Sequence, residues 1–122
     1  MSTPPDPRFR LRLVFGPDDW MGPGKAELLE RIDRTGSIAA AGREMGMSYK
    51  RAWQLVEAMN AMFRVPLVVS SRGGARGGGA VVTDEGQVVL TEFRALEEVA
   101  QEAGADHIAR LQQMLGDISD GE

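Results

Sequence analysis

Four polar side chains within a stretch of six residues have the hydrogen-bonding chemistry to recognise another molecule. They are Tyr49, Lys50, Arg51 and Gln54. Lysine and arginine donate to guanine O6 and N7, glutamine makes two hydrogen bonds with adenine, and tyrosine reaches a phosphate or a thymine methyl group. Ser48, immediately before them, suits the N-cap of a helix. The free backbone amides at the start of that helix can hold a phosphate. These residues therefore indicate a helix that enters a major groove by its N-terminus.

The elements around this helix have the spacing of a helix-turn-helix. Ser37 suits the N-cap of a short helix over 38–45, Gly46 marks the turn, and the second helix runs to about Phe63. Gly42, four residues before the turn, allows the two helices to cross closely. The crossing is predicted to be lined by Ala41, Met45, Met47, Ala52 and Leu55.

A glycine-rich hairpin is predicted after these helices. Residues 67–71 and 80–83 have the composition of short strands, and 72–79 joins them with five glycines. Because only Arg72 and Arg76 project from this tip, it can follow a minor groove or a phosphate backbone closely, although a plain surface loop also fits the sequence. The hairpin completes a winged helix. The predicted DNA contacts are Ser37, Ser48, Tyr49, Lys50, Arg51, Gln54, Arg72 and Arg76.

Upstream, the sequence predicts one strand and one helix. Apolar Phe9, Leu11, Leu13 and Phe15 alternate with basic Arg8, Arg10 and Arg12. This period of two predicts a half-buried strand over 8–15, whose arginine face is left open between DNA, solvent and a second subunit. A helix is expected from near Lys25 to a stop at Gly36. Farther along, Trp53 borders the apolar face of its helix and is assigned mainly to the core.

The C-terminal third is predicted to be helical from Asp84 to about Gly104. Apolar residues there step by 4, 3, 4 and 3, as in a coiled-coil seam: Val89, Phe93, Leu96, Ala100 and Ala103. A second short stripe follows over 108–118. We expect the first stripe to form a dimer interface. Packing against the same domain is the alternative, and continuity of the helix through Gly104 is left open.

The composition narrows the possible functions. The 122 residues suit one domain; with no cysteine and a single histidine, His107, disulfides, thiol catalysis and cysteine-ligated metals are excluded and a histidine metal site is not expected. No catalytic set of residues is present, so we expect neither an enzyme nor a bound cofactor or metal. A run of roughly 18 apolar residues and a signal-peptide pattern are both missing, so a cytoplasmic protein is expected.

Charge is distributed unevenly along the chain. The net charge is −4, yet residues 37–83 hold six bases and two acids, whereas 84–122 hold two bases and ten acids. The basic segment coincides with the predicted helix-turn-helix and wing. Because local charge steers a polyanion, the acidic total does not exclude nucleic acid as a partner.

These elements predict a mainly α-helical fold with a small β-hairpin wing (α+β), a winged helix-turn-helix followed by a long C-terminal dimerisation helix. The expected organisation is a disordered N-terminal tail over 1–8, a DNA-binding domain over 9–83, a helical dimerisation segment over 84–118 and an acidic tail over 119–122.

Six stretches of the sequence match one known pattern: Gly36-Ser37-Ile38, Gly46 to Trp53, Met59-Asn60, Leu67-Val68, the glycine-rich tip, and Ala80 to Thr83 with Gly86. They resemble the N-terminal winged-helix domain of the ModE family of molybdate-responsive transcriptional regulators. The resemblance implies dimerisation through the first strand and the long last helix, and binding of an operator palindrome through Tyr49, Lys50, Arg51 and the wing arginines. Full-length members carry C-terminal β-barrel domains that bind molybdate. This chain is expected to lack them and not to sense molybdate directly.

Together these features predict a sequence-specific transcriptional regulator that binds duplex DNA as a homodimer, with the Ser48 helix in the major groove and the wing at the backbone or minor groove. A winged-helix protein-interaction module, whose basic face and acidic tail engage another protein such as RNA polymerase, is an alternative. A second alternative is a regulator that binds molybdate or another oxyanion directly, with the glycine-rich loop as a nest of backbone amides.

Overall fold

A computed structural model describes residues 9–74 and 77–116 of the chain, and this part folds into five helices and two short antiparallel strand pairs. In chain order they are β1 (Leu13–Val14), β2 (Trp20–Met21), α1 (Pro23–Thr35), α2 (Ile38–Glu44), α3 (Tyr49–Met62), β3 (Val68–Gly74), β4 (Gly77–Val82), α4 (Asp84–Ala103) and α5 (Ala105–Gln113). The predicted fold class, mainly helical with a hairpin wing, is confirmed. The predicted tails over 1–8 and 119–122, and Arg76 at the wing tip, lie outside the described residues.

Capping residues set the bounds of the first three helices. The Ser37 hydroxyl accepts from the Ala40 amide at 3.0 Å, and the Ser48 hydroxyl accepts from the Arg51 amide at 3.1 Å, so both predicted N-caps are confirmed. Gly36 ends α1 with a φ of 71°, and Gly46 sits in the turn between α2 and α3 with a φ of 73°. Only glycine adopts this left-handed backbone without strain, so each helix must stop there.

The core lies between α1, α3, the hairpin and α4. Its largest fully buried side chains are Met21, Leu28, Leu29, Ile32, Met59 and Leu67. At the crossing of α2 and α3, Gly42 and Ala52 are both buried, and a Cβ on Gly42 would stand 2.9 Å from the Cβ of Ala52. The small residue predicted at this crossing is therefore required by the close approach of the helices.

The hairpin is fixed to the helices at its base. β3 and β4 pair in register from Val68 opposite Val82 to Ser71 opposite Gly79. The Asn60 side chain on α3 accepts from the Leu67 and Val68 amides at 2.8 and 3.1 Å and donates to the Val68 carbonyl at 3.0 Å.

On the other strand, the Ala80 amide donates to the carbonyl of Gly36 at 3.0 Å. A Cβ on Gly79 would stand 2.8 Å from the same carbonyl oxygen. The base of the wing is thus held to α3 on one side and to the α1–α2 turn on the other.

Helix α4 begins against the base of the hairpin. Thr83 caps it by accepting from the Gly86 amide at 3.0 Å, and the Thr83 hydroxyl also donates to the Pro66 carbonyl at 2.8 Å. A Cβ on Gly86 would stand 2.4 Å from the Leu67 carbonyl oxygen, so the helix can approach this closely only with glycine there. Farther along, Arg94 donates to both carboxylate oxygens of Glu30 on α1, each at 2.9 Å.

One predicted element is shorter in the structure. Within the described residues 9–15, the strand predicted over 8–15 forms only at Leu13–Val14, because its partner β2 offers just two residues, and Phe15 beyond it is exposed. The helix predicted from Asp84 to about Gly104 is present as α4, and its continuity, which the sequence left open, is interrupted at Gly104: α4 ends at Ala103 and α5 begins at Ala105.

Candidate nucleic-acid interface

The first two turns of α3 expose the side chains that the sequence singled out for recognition. Tyr49, Lys50, Arg51 and Gln54 are all exposed. At 100° per residue, Lys50 and Gln54 lie nearly opposite the buried Ala52, and Arg51 and Tyr49 flank them. This end of the helix therefore presents donors of different chemistry around one outward-facing ridge, in the arrangement that a helix entering a groove requires.

Trp53 is misassigned by the sequence prediction. Its side chain is 44% exposed and does not belong to the core. The buried residues of α3 are Ala52, Val56 and Met59, and Trp53 lies about 100° around the helix from Ala52. It shares that flank with Tyr49, one turn earlier, and Asn60, two turns later. Since Asn60 bonds to β3, the flank that carries Trp53 faces the wing.

The remaining predicted DNA contacts divide into two groups. Ser37 and Ser48 lie at the starts of α2 and α3, with Ser48 exposed and Ser37 half-buried. Arg72 lies in β3 and Arg76 beyond it, and neither side chain is within the described part of the molecule. Their contact with DNA stays a prediction.

Two cations stack on the indole ring of Trp20, a feature that the sequence did not indicate. The Lys25 ammonium lies 3.7 Å from the Trp20 ring centroid, and the Arg12 guanidinium carbon lies 3.9 Å from it. Lys25 is 2% exposed and donates to the Trp20 carbonyl at 2.9 Å. Burial, and then the charge of Arg12, lower the pKa of Lys25, and Arg51 adds to this repulsion.

Positive charge therefore collects on the side of α3 that faces away from the wing, around Arg51 and Arg12. The alternation of Arg8, Arg10 and Arg12 in the sequence was the available signal. It left the orientation of these arginines open, because nothing local to the strand identifies Trp20 as the partner of Arg12.

The five predicted interface residues on α4 are not equivalent. Phe93 is 4% exposed and packs in the core of the single chain, so little of its surface remains for a second chain. Val89 is half-buried against the same core, whereas Leu96 stays exposed. The helix shows further apolar surface at Val99, which is 62% exposed and which the stripe did not include.

Helix α5 adds to this surface. It has no buried residue, and its apolar side chains Leu111, Met114 and Leu115 are exposed, the last two at or just beyond its end. Beside α4, the exposed side chains of Leu13, Phe15 and Leu96 line one apolar depression, so apolar side chains are exposed on both α4 and α5.

Metal-binding and membrane-spanning features are both missing from the described part of the chain. Within residues 9–74 and 77–116, no group of three or more histidine, aspartate or glutamate side chains is placed to hold a metal ion. No helix in the same ranges is both long enough and apolar enough to span a bilayer.

The fold and the exposed start of α3 define a helix-turn-helix protein of the DNA-binding class, and comparison with known proteins gives its family. Residues 24–87 match the bacterial regulatory helix-turn-helix proteins of the lysR family. This match spans more than half of the chain, which therefore belongs to that family.

Comparison with individual proteins shows which members of the family the chain is similar to. The chain is 48% identical over 77 residues to the molybdenum-pterin-binding protein MopB of Rhodobacter capsulatus, covering 63% of this chain and 28% of that protein. It is 39% identical over 117 residues to the molybdenum transport protein ModE of Azotobacter vinelandii, covering 94% and 42%. To the DNA-binding transcriptional dual regulator ModE of Escherichia coli K12 it is 37% identical over 81 residues, covering 66% and 31%. The resemblance to ModE proteins is confirmed, and the chain spans less than half the length of these relatives.

A solved structure agrees on the fold. A LysR family transcriptional regulator superimposes with a TM-score of 0.52 over 69% of this chain and 28% of its own, at 17% sequence identity. At that identity the likeness concerns the fold alone.

Proposed function

We propose that this chain is a transcriptional regulator that binds specific duplex DNA as a homodimer. Helix α3 lies in the major groove with Lys50, Arg51 and Gln54 at base edges, and the wing lies along the adjacent backbone or minor groove. Such a protein acts where the chromosome is, so the cytoplasm stays the predicted location.

One observation carries this proposal. The N-terminal turns of α3 hold base-reading side chains that are all exposed, on a helix fixed at its crossing with α2 by the contact of Gly42 with Ala52. Lys50, Arg51 and Arg43 give this end of the two helices a positive surface without an acid beside them on α3 until Glu57. A surface of that composition suits the edges of bases between two rows of phosphates.

Selection of bound duplexes from a random pool at fixed salt is the direct test. It should return a conserved motif, and a homodimer should return it twice in inverted orientation, about one helical turn of DNA apart. A pool that remains random would contradict sequence-specific binding. If the pool remained random and the immobilised protein instead retained a specific protein from a cell extract, the protein-interaction alternative would hold.

A double substitution then assigns the contact to α3. Lys50→Ala with Arg51→Ala should weaken binding to the selected duplex by about 100-fold or more, because each good base contact is worth about 1–3 kcal/mol of discrimination. The log–log salt dependence should also flatten by about 0.9 for each of the two cations that pairs with a phosphate in the unchanged protein.

The matched control removes the same charge elsewhere. Arg64 follows the far end of α3, about 20 Å from its start, and Arg110 lies on α5. Arg64→Ala with Arg110→Ala should change affinity by less than about threefold at physiological salt, where charges beyond the Debye length are screened. Equal weakening by both double variants would mean that net charge, and not α3, supports binding.

The proposal of a homodimer rests on the apolar surface of α4 and α5. Leu96 and Val99 are exposed on α4, and Leu111 is exposed on α5. Apolar side chains exposed on two helices favour an assembly in which a second copy covers them. A twofold axis through α4 would present the two α3 helices to successive turns of one face of the duplex.

Direct binding of molybdate by this chain has no comparable support. An oxyanion site needs unpaired cations or converging backbone amides. Three arginines away from α3 are already paired with carboxylates, since Arg31 and Arg34 are held by Glu44, and Arg94 by Glu30 and Glu97. The cations of α3 are assigned to DNA in the proposal above. The molybdenum in the names of the relatives describes those longer proteins.

A further inference from the structure

A groove runs between the flank of α3 that faces the wing and the base of the wing. It has a volume of about 330 Å³, and its walls include Ser37, Tyr49, Trp53, Ser70 and the backbone of Gly79. None of the described residues that line it is charged. Its position beside the reading turn of α3, and its exposed aromatic rings, set it apart from the other surfaces of the molecule.

Resting on the proposed function, we propose that this groove holds a segment of DNA sugar–phosphate backbone, with the Trp53 ring against a deoxyribose and its indole N–H donating to a phosphate oxygen. The contact is neutral and carries no base information. Trp53 is thus a DNA-contacting residue that fixes how α3 sits in the major groove.

Helix dimensions place this flank at the wall of the groove. An α-helix with its side chains is about 10–12 Å across, and the major groove of B-DNA is about 12 Å wide, so both flanks of an inserted helix meet phosphate backbones. With Lys50 and Gln54 at the outward ridge, the flank of Tyr49 and Trp53 meets one backbone, and Arg51, on the other side of the ridge, is long enough to reach a base edge from there.

The groups in the groove match that occupant. An indole N–H is a donor only, so it pairs with a phosphate oxygen and not with a cation. Among the described residues, the Ser37 hydroxyl accepts a hydrogen bond from the Ala40 amide and donates none, so its proton is available to a phosphate oxygen. Ser70 and Tyr49 contribute two more hydroxyl groups.

Strand alternation explains how Ser70 comes to line the groove. Ser70 pairs with Ala80, and both point to the side of the hairpin that faces the helices, whereas the next pair, Val69 and Val81, points to the other side and is exposed. Glu57, exposed one turn beyond Trp53, limits the contact because it would repel a phosphate there. The backbone segment therefore lies at the level of Tyr49 and Trp53.

Trp53 can be observed directly, since the chain has only two tryptophans. Trp20→Phe keeps an aromatic ring between Arg12 and Lys25 and leaves Trp53 as the single indole fluorophore. In this variant, saturation with the selected duplex should reduce quenching of Trp53 by acrylamide about twofold or more. Unchanged quenching while anisotropy of a labelled duplex reports binding would overturn the groove proposal alone. No binding to any duplex would overturn both proposals.

Substitutions at Trp53 separate a backbone contact from base reading. Trp53→Phe removes the N–H and should weaken binding about tenfold, as expected for loss of a hydrogen bond to a charged group, and Trp53→Ala should weaken it further. Because a backbone contact positions without specifying, the ratio of affinities for selected and random duplexes should stay the same. The salt slope should also be unchanged, since no cation is removed.

The control is Val81→Ala, on the opposite face of the wing, which should bind as the unchanged protein does. Circular dichroism and the unfolding midpoint should be the same for all Trp53 variants, as the side chain is outside the core. A changed base preference in the Trp53 variants would mean that the indole reads a base, and equal affinity of Trp53→Ala and the unchanged protein would remove it from the interface. Either result overturns the proposal.

Discussion

The α3–wing half of the molecule, residues 37–83, and the α4–α5 half, residues 84–113, differ in charge and in what they expose. The first has six bases and two acids, and the second has two bases and seven acids. The first exposes donors and aromatic rings around α3, whereas the second exposes aliphatic side chains along α4 and α5. The two surfaces thus differ in chemistry, and the proposed function assigns the first to DNA and the second to another copy of the chain.

This contrast explains why the net charge of the whole chain is misleading for a protein this small. The value of −4 is the sum of a basic segment and an acidic segment. In the proposed complex, repulsion between the acidic half and DNA favours the orientation in which α3 faces the duplex. Three changes test the two halves and their junction, and a fourth tests α1 beside them, in order of decreasing expected effect.

The largest effect is expected at the α4 surface. Val99→Glu should raise the dissociation constant of the dimer about 100-fold or more, because a carboxylate would be buried without a partner between two apolar surfaces. Sedimentation at several concentrations measures this shift. Gln101→Glu, on the opposite side of the same helix, adds the same charge and should leave the dimer intact. A dimer unaffected by Val99→Glu would place the assembly surface elsewhere.

The junction of the two halves should be the next most sensitive position. Gly86→Ala brings a methyl group within 2.4 Å of the Leu67 carbonyl and 2.7 Å of a Val82 methyl carbon, so the free energy of unfolding should fall by about 3 kcal/mol. Urea denaturation reports this change.

Gly24→Ala is the matched control, because a Cβ there meets nothing within 4 Å. Alanine is the better helix former, and this variant should be about 0.5 kcal/mol more stable. Equal stability of the two variants would mean that the contact between α4 and the base of the wing is not tight.

Within the α3–wing half, Asn60 tests how firmly the wing is held. Asn60→Ala leaves two amides and one carbonyl without their partner and should cost about 2 kcal/mol of unfolding free energy. Asn60→Asp keeps the acceptor and removes the donor, so its destabilisation should be smaller. DNA affinity should fall in the same order; if it did not change at all, the wing would not contribute to binding.

The smallest effect is a dependence of stability on pH at Lys25. Burial lowers its pKa in the folded chain below the ordinary 10.5, so the unfolded chain binds more protons between the two values. Stability contributed by this residue therefore rises with pH in that window. The difference in unfolding free energy between the unchanged protein and Lys25→Met should shift in favour of the unchanged protein as pH increases toward 10.5. A pH-independent difference would contradict the lowered pKa.

Local signals in the sequence predicted most of the helical frame. Serine caps and glycine stops act within one turn of chain, so Ser37, Ser48, Gly36 and Gly46 were assigned correctly without knowledge of the fold. The close crossing at Gly42 followed from the spacing of the motif, and the hairpin followed from two β-branched segments around glycines.

What depended on distant partners was predicted less well. Trp53 was assigned to the core because it borders the apolar face of α3, whereas its side chain, about 100° around the helix from Ala52, is 44% exposed. Phe93 was assigned to a dimer seam because the stripe is regular, yet the core of the same chain covers it. The stack of Arg12 and Lys25 on Trp20 joins β2, α1 and the segment before β1, and no local pattern indicates that these residues meet.

The hydrogen bond from the Ala80 amide to the Gly36 carbonyl bears on which duplexes the proposed DNA interface can fit. Asn60 on α3 bonds to Val68 in the other strand of the hairpin, and the two attachments together hold the wing at a set distance from α3. In the proposed complex, α3 and the wing contact the duplex at this set distance, so the protein binds best where the spacing of the phosphate rows agrees with it. Duplexes that are stiff at another spacing must deform to fit, and the cost depends on their sequence. Selectivity can therefore arise at base pairs that no side chain touches.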